Sequence, residues 1–167
     1  YLANAVDPWD TTVESKSGLK IEKLEVLPGN DGAAPTRQLH FGDPYRIRLR
    51  LSTREPIPRG AALSVLLFNQ DGVRVSSLCS NEEGAGWVAF DREVEIEFPI
   101  DNLDLFPGNY WLGVEVFRQG EFKPALDAEK VLEVTVNPTA VNGSHAYYTR
   151  AHGITRLASG ANLLERR

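Results

Sequence analysis

The chain has 167 residues, 42% hydrophobic and 25% charged, with a formal net charge of −5. That length fits one domain with flanking segments, and no apolar run approaches the roughly 20 residues that a membrane-spanning helix needs. The charge is uneven: from Pro138 onward Arg150, Arg156, Arg166 and Arg167 face the single acid Glu165, so this segment carries +3 and the body −8. An acidic body argues against nucleic acid as the main ligand.

Residues 1–18 are polar, with Asp7-Pro8 and a Thr/Ser-rich run, and read as a linker. Strand patterning begins at Leu19. Lys20 to Leu27 is the first strand, Asn30 to Pro35 a loop, and Gln38 to Phe41 a short extended piece before the Gly42-Asp43-Pro44 turn. From Tyr45 to Thr53 the alternation is strict: Tyr45, Ile47, Leu49 and Leu51 point one way, Arg46, Arg48 and Arg50 the other. Period two marks a half-buried strand.

Two prolines between Glu55 and Gly60 interrupt the pattern. Ala62 to Phe68 is strongly apolar and reads as a central strand. Asn69-Gln70-Asp71-Gly72 is a hairpin signal, and Val73 to Cys79 the returning strand. A glycine-containing loop from Ser80 leads to Trp87. Glu93 to Ile100 alternates again, with Glu93, Glu95 and Glu97 outward. Pro107-Gly108 turns the chain into a strand from Asn109 to Arg118, and Lys130 to Val136 is the last clear strand.

Seven or eight short strands with turn signals between them, and no convincing helix, define an all-β chain: an immunoglobulin-like antiparallel β-sandwich over residues 19–137, followed by a C-terminal extension, 138–167. By analogy the strands at 20–27, 45–53 and 93–100 form one sheet, and those at 62–68, 73–79, 109–118 and 130–136 the other. In the extension, Ile154, Leu157, Ala158, Ala161 and Leu164 have helical spacing, weakened by Gly153 and Gly160. A docked helix, an arm exchanged with a second subunit and a disordered tail all remain open.

The strand after Pro107-Gly108 has two different faces. Tyr110, Leu112, Val114 and Val116 are core. Trp111, Gly113, Glu115 and Phe117 are not the usual polar face, because two aromatics flank a glycine and a carboxylate. Such a surface suits a sugar: Trp111 stacks on the apolar face of a ring and Glu115 accepts hydroxyl hydrogen bonds. Arg74 and Ser76, outward on the strand after the hairpin, are expected to join it. The expected carbohydrate-binding residues are therefore Trp111, Glu115, Phe117, Arg74 and Ser76. The same face would also suit a subunit interface, and that alternative stays open.

The stripe Arg46/Arg48/Arg50 invites an anion-binding reading, but the stripe Glu93/Glu95/Glu97 answers it if the two strands are neighbours. Catalysis has little support, although the many carboxylates leave a glycosidase-type acid pair open. His40, His145 and His152 have no partners at metal-ligand spacing, and there is neither a nucleophile elbow nor a glycine-rich phosphate loop. No cofactor and no metal are expected. Cys79 is the only cysteine, so no internal disulfide forms, which is compatible with a reducing compartment. Asn142-Gly143-Ser144 matches a glycosylation sequon, a pattern common by chance.

Four stretches carry a resemblance to a known family: Ile21 to Leu27, Phe41 to Leu49, Phe68 to Val75, and Leu105-Phe106-Pro107-Gly108-Asn109-Tyr110-Trp111-Leu112. Over roughly residues 19–137 the chain resembles the C-terminal carbohydrate-binding domain of Wzt, the ATP-binding subunit of O-antigen polysaccharide ABC transporters. The resemblance implies a non-catalytic module that recognises the non-reducing terminus of the O-antigen polysaccharide before export. It implies a homodimer, a cytoplasmic location peripheral to the inner membrane, and coupling through the full-length chain to the transmembrane subunit. The chain starts at Tyr1 and contains no methionine. A longer polypeptide is expected, with 1–18 linking to an upstream nucleotide-binding domain that would hold any ATPase activity.

Overall fold

The computed structural model describes residues 9–139. Ten strands run along them: β1 (Val13–Glu14), β2 (Leu19–Pro28), β3 (Gln38–His40), β4 (Tyr45–Thr53), β5 (Ile57–Asn69), β6 (Arg74–Cys79), β7 (Val88–Phe90), β8 (Glu93–Ile100), β9 (Gly108–Arg118) and β10 (Leu126–Asn137). One sheet has the order β1-β2-β4-β8, the other β3-β10-β9-β5-β6, with β7 paired to β5. The expected partition of strands between two sheets is the observed one.

Alternation on each strand builds the layer between the sheets. Ile21, Leu24 and Val26 of β2 and Ile47, Leu49 and Leu51 of β4 meet Leu63 and Val65 of β5, Leu112, Val114 and Val116 of β9, and Leu132, Val134 and Val136 of β10; all are buried. Each such side chain contributes roughly 1.5–3 kcal/mol by leaving water. Two tyrosines lie at one end of this layer, where the loops before β4 and β9 meet. The Tyr110 hydroxyl donates to the carbonyl of Phe106 at 2.7 Å, the tyrosine-corner arrangement of immunoglobulin-like domains. The Tyr45 hydroxyl accepts from the amide of His40 at 2.8 Å.

Four features differ from the sequence expectation. Residues 9–18, expected as linker, lie against the first sheet. β1 pairs with β2, and the buried Thr11 hydroxyl accepts from the Leu24 amide at 2.8 Å, which a reading of polar composition does not reveal. β3 runs parallel to β10, the single parallel pair among the described residues. β5 starts earlier than expected, because Pro58 falls where its pairing to β7 is irregular, between Ile57 and Ala61, so the missing amide disturbs no regular ladder. β10 starts at Leu126, and a bulge between Ala128 and Leu132 hides its first half from a period-two reading. The expectations for the extension, including Ile154 to Leu164, the sequon at Asn142, His145 and His152, lie outside the described residues apart from Pro138 and Thr139.

Candidate functional site

Residues directly opposite on antiparallel strands share a sheet face. The outer face of the second sheet is therefore made of cross-strand rows. One row runs Glu133 (β10), Trp111 (β9), Phe68 (β5), Arg74 (β6). The next holds Gly113, Leu66 and Ser77; the third Asp127, Glu115, Ser64 and Cys79; the fourth Phe117 and Ala62. The β5 members are buried, while Trp111, Glu115 and Phe117 are half-buried and line the accessible surface.

Two cations overlie the aromatic rings. Lys130 Nζ stands 5.9 Å from the Trp111 centroid, and the Arg74 guanidinium carbon 5.6 Å from the Phe68 centroid. Arg74 Nη2 also lies 3.8 Å from Glu115 Oε2, whose side chain is 18% exposed. Burial pushes the Glu115 carboxyl above the ordinary glutamate range; Arg74 opposes that shift and the facing Asp127 adds to it. Beside it the Ser64 hydroxyl donates to Cys79 Sγ at 3.0 Å, and Cys79 donates to Asn81 Oδ1 at 2.7 Å.

Gly113 has a specific cause. A Cβ there would lie 2.6 Å from the carbonyl oxygen of Ala128 and 2.8 Å from that of Glu129. The β10 bulge packs its backbone directly on this position, so only glycine fits between Trp111 and Glu115.

The structure thus brings Trp111, Glu115, Phe117 and Arg74 onto one face. It turns Ser76 away. A bulge in the β5–β6 ladder between Leu67 and Phe68 shifts the register by one, so Ser76 opposes the inward-facing Leu67 and Ser77 takes the outward place. Sequence reading missed Phe68, Ser64, Lys130 and Asp127. Phe68 and Ser64 were hidden in an apolar run read as a central strand, whose faces only the parity of β5 against β9 separates. Lys130 and Asp127 fall in or beside the β10 bulge.

The outer face of the first sheet is a paired ladder. Arg48 Nη2 lies 3.0 Å from Glu97, Arg50 Nε 3.4 Å from Glu95, and Arg46 Nη1 3.6 Å from Glu97. Arg48 also reaches the buried Glu25 at 3.6 Å, which Lys23 meets at 2.9 Å. Each arginine of the stripe is answered by an acid. Among the described residues no group of His, Cys, Asp and Glu is placed to hold a metal ion, and no helix is long and apolar enough to cross a membrane.

The rows and the tyrosine corner define an immunoglobulin-like β-sandwich domain with a polar-aromatic sheet face. The sequence model described as Wzt C-terminal domain matches residues 10–154, and the chain belongs to that family. Among solved structures it is similar to the crystal structure of the C-terminal domain of wzt, at 13% identity and a TM-score of 0.70, covering 89% of this chain and 86% of that one. Weaker likenesses are to Pseudomonas fluorescens alkylpurine DNA glycosylase AlkC bound to DNA (15% identity, 74% and 31% of the chains, TM-score 0.45) and to a Pyrococcus furiosus CARDB domain in complex with di-metal ions (9%, 79% and 100%, TM-score 0.41). No curated protein matches the chain.

Proposed function

We propose that the chain is a non-catalytic carbohydrate-binding module that recognises the non-reducing end of O-antigen polysaccharide for export by an ABC transporter. Membership of the Wzt C-terminal domain family supports the export role. The observation that carries the glycan reading is the outer-face row of Trp111, Phe68 and Arg74 beside the half-buried Glu115. It combines an aromatic ring for the apolar face of a sugar with acceptors at Glu115 and Asp127 and donors at Arg74 and Lys130, the mixture that a polyhydroxylated ligand uses. The face is shallow, so single-site affinity is modest and two copies in a homodimer raise it by avidity. In this reading the module works at the cytoplasmic side of the inner membrane, with the transporter's transmembrane subunit as its partner.

Calorimetric titration of the chain with O-polysaccharide from its source tests the proposal. Trp111→Ala is expected to weaken binding by about tenfold or more, roughly 1.4 kcal/mol. Equal affinity in the variant removes Trp111 from the site, and absence of binding to the unmodified chain sinks the glycan reading. Light scattering addresses the alternative: a dimer converted to monomers by Phe117→Ala identifies the aromatic face as a subunit contact.

A further inference from the structure

The outer face of the second sheet does not end at the row of Phe117 and Ala62. β7 lies on the side of β5 away from β9, since Ala61 pairs with Arg118 on one side and with Val88 on the other. Val88 and Phe90 pack on the core, and Ala89 between them is exposed. Alternation therefore turns Trp87 outward, and one further step of the Ala61–Val88 register sets it opposite Ala62. Two observations agree with that placement. Trp87 is 43% exposed, whereas Ala62 is only 5% exposed although it faces outward, as a methyl group held between two rings would be. A Cβ at Gly60, where φ is +87°, would lie 3.0 Å from the Cβ, C and O atoms of Trp87, so Trp87 is seated directly on β5.

The face thus carries two aromatic stations. Trp111 and Phe68 form one, Phe117 and Trp87 the other. Trp111 and Phe117 are six residues apart on β9, about 20 Å along the strand. Between the stations the relief is low and the accessible groups are polar. Gly113 has no side chain, and Glu115 and the exposed Asp127 stand directly opposite each other. A linear glycan matches that order, with ring faces at the stations and hydroxyls in the polar stretch between them. A pyranose unit, built of bonds near 1.5 Å, advances an extended glycan by roughly 5 Å, so about four units bridge the stations.

We propose that Trp87 is a carbohydrate-binding residue and that the face takes a linear glycan stretch of about four sugar units or more, held at Trp111 and Phe68 and again at Phe117 and Trp87. This assignment rests on the glycan reading of the face and extends it from the terminus to the chain behind it. Trp87 adds a second contact to a ligand already held at Trp111. That contact is intramolecular once the first is made, so it raises affinity for long ligands and not for short ones.

Calorimetric titration of the chain with fragments of the O-polysaccharide from its source, two and six sugar units long, tests this. The longer fragment is expected to bind about tenfold more tightly or better, and Trp87→Ala to remove that advantage. Trp87→Phe, which keeps a ring, is expected to retain most of it. Equal affinity for the two fragments in the unaltered chain overturns the second station. So does binding of the longer fragment that Trp111→Ala weakens and Trp87→Ala does not, and in that case the glycan reading of Trp111 still stands. No binding of either fragment sinks both. Light scattering covers the other occupant of the face: a dimer that Trp87→Ala turns into monomers, with affinity for the longer fragment unchanged, makes the ring a subunit contact and overturns the proposal.

Discussion

Trp111 and Glu115 lie four residues apart on one strand face but answer to different forces. Trp111 keeps a partly accessible ring with Lys130 nearby, and its value lies in contact area. Glu115 sits where desolvation opposes its charge more than Arg74, itself half-exposed, favours it. A carboxyl whose folded pKa is raised stabilises the fold fully below the unfolded value, about 4.3, and loses that contribution as pH rises through the folded value. Glu115→Gln removes the titration. The variant is expected to match the parent near pH 3.5 and to become the more stable of the two as pH rises to 7, read by urea unfolding at several pH values. A difference constant with pH contradicts the assignment. Trp111, Glu115 and Phe117 were legible from sequence because they share one strand and parity alone relates them. Phe68 and Asp127 belong to other strands, and only register brings them in.

Bulges explain where strand-level reading failed. The alternation of β4 and β8 runs undisturbed, so the arginine and glutamate stripes and their mutual pairing were readable from period two alone. β6 and β10 each contain a register shift, and past it a period-two rule assigns the wrong face, as for Ser76, or loses the strand, as for Leu126 to Glu129. The β10 bulge is locked to Gly113, where no other residue has room. Gly113→Ala forces the Ala128 and Glu129 carbonyls away and is expected to destabilise the domain by about 1–3 kcal/mol, measured as a lower denaturant midpoint. A midpoint unchanged from the parent means that the bulge yields freely and does not fix the geometry of the face. The β1 pairing was illegible for another reason: two residues are too few to show a period, and the buried Thr11 contact with Leu24 spans 13 positions.

At the scale of the molecule, the two sheets present unlike outer faces on one core. The first is covered by a balanced ladder in which Arg46, Arg48 and Arg50 meet Glu95 and Glu97. The second exposes aromatic edges, a carboxylate with a raised pKa and two cations over rings. The fold followed from turn signals and alternation spread over the whole chain, so local misreadings did not alter it. The proposed ligand face is set by a few side chains from four strands, which no local pattern relates. The central claim, that the second face is the glycan face, is tested most directly by an NMR titration of the isotope-labelled chain with O-polysaccharide. The account predicts saturable shifts centred on the Trp111 indole and on Phe68, Arg74, Glu115 and Phe117, with Arg46, Arg48 and Arg50 unmoved. Shifts confined to the arginine–glutamate face, with the Trp111 indole stationary, would contradict it.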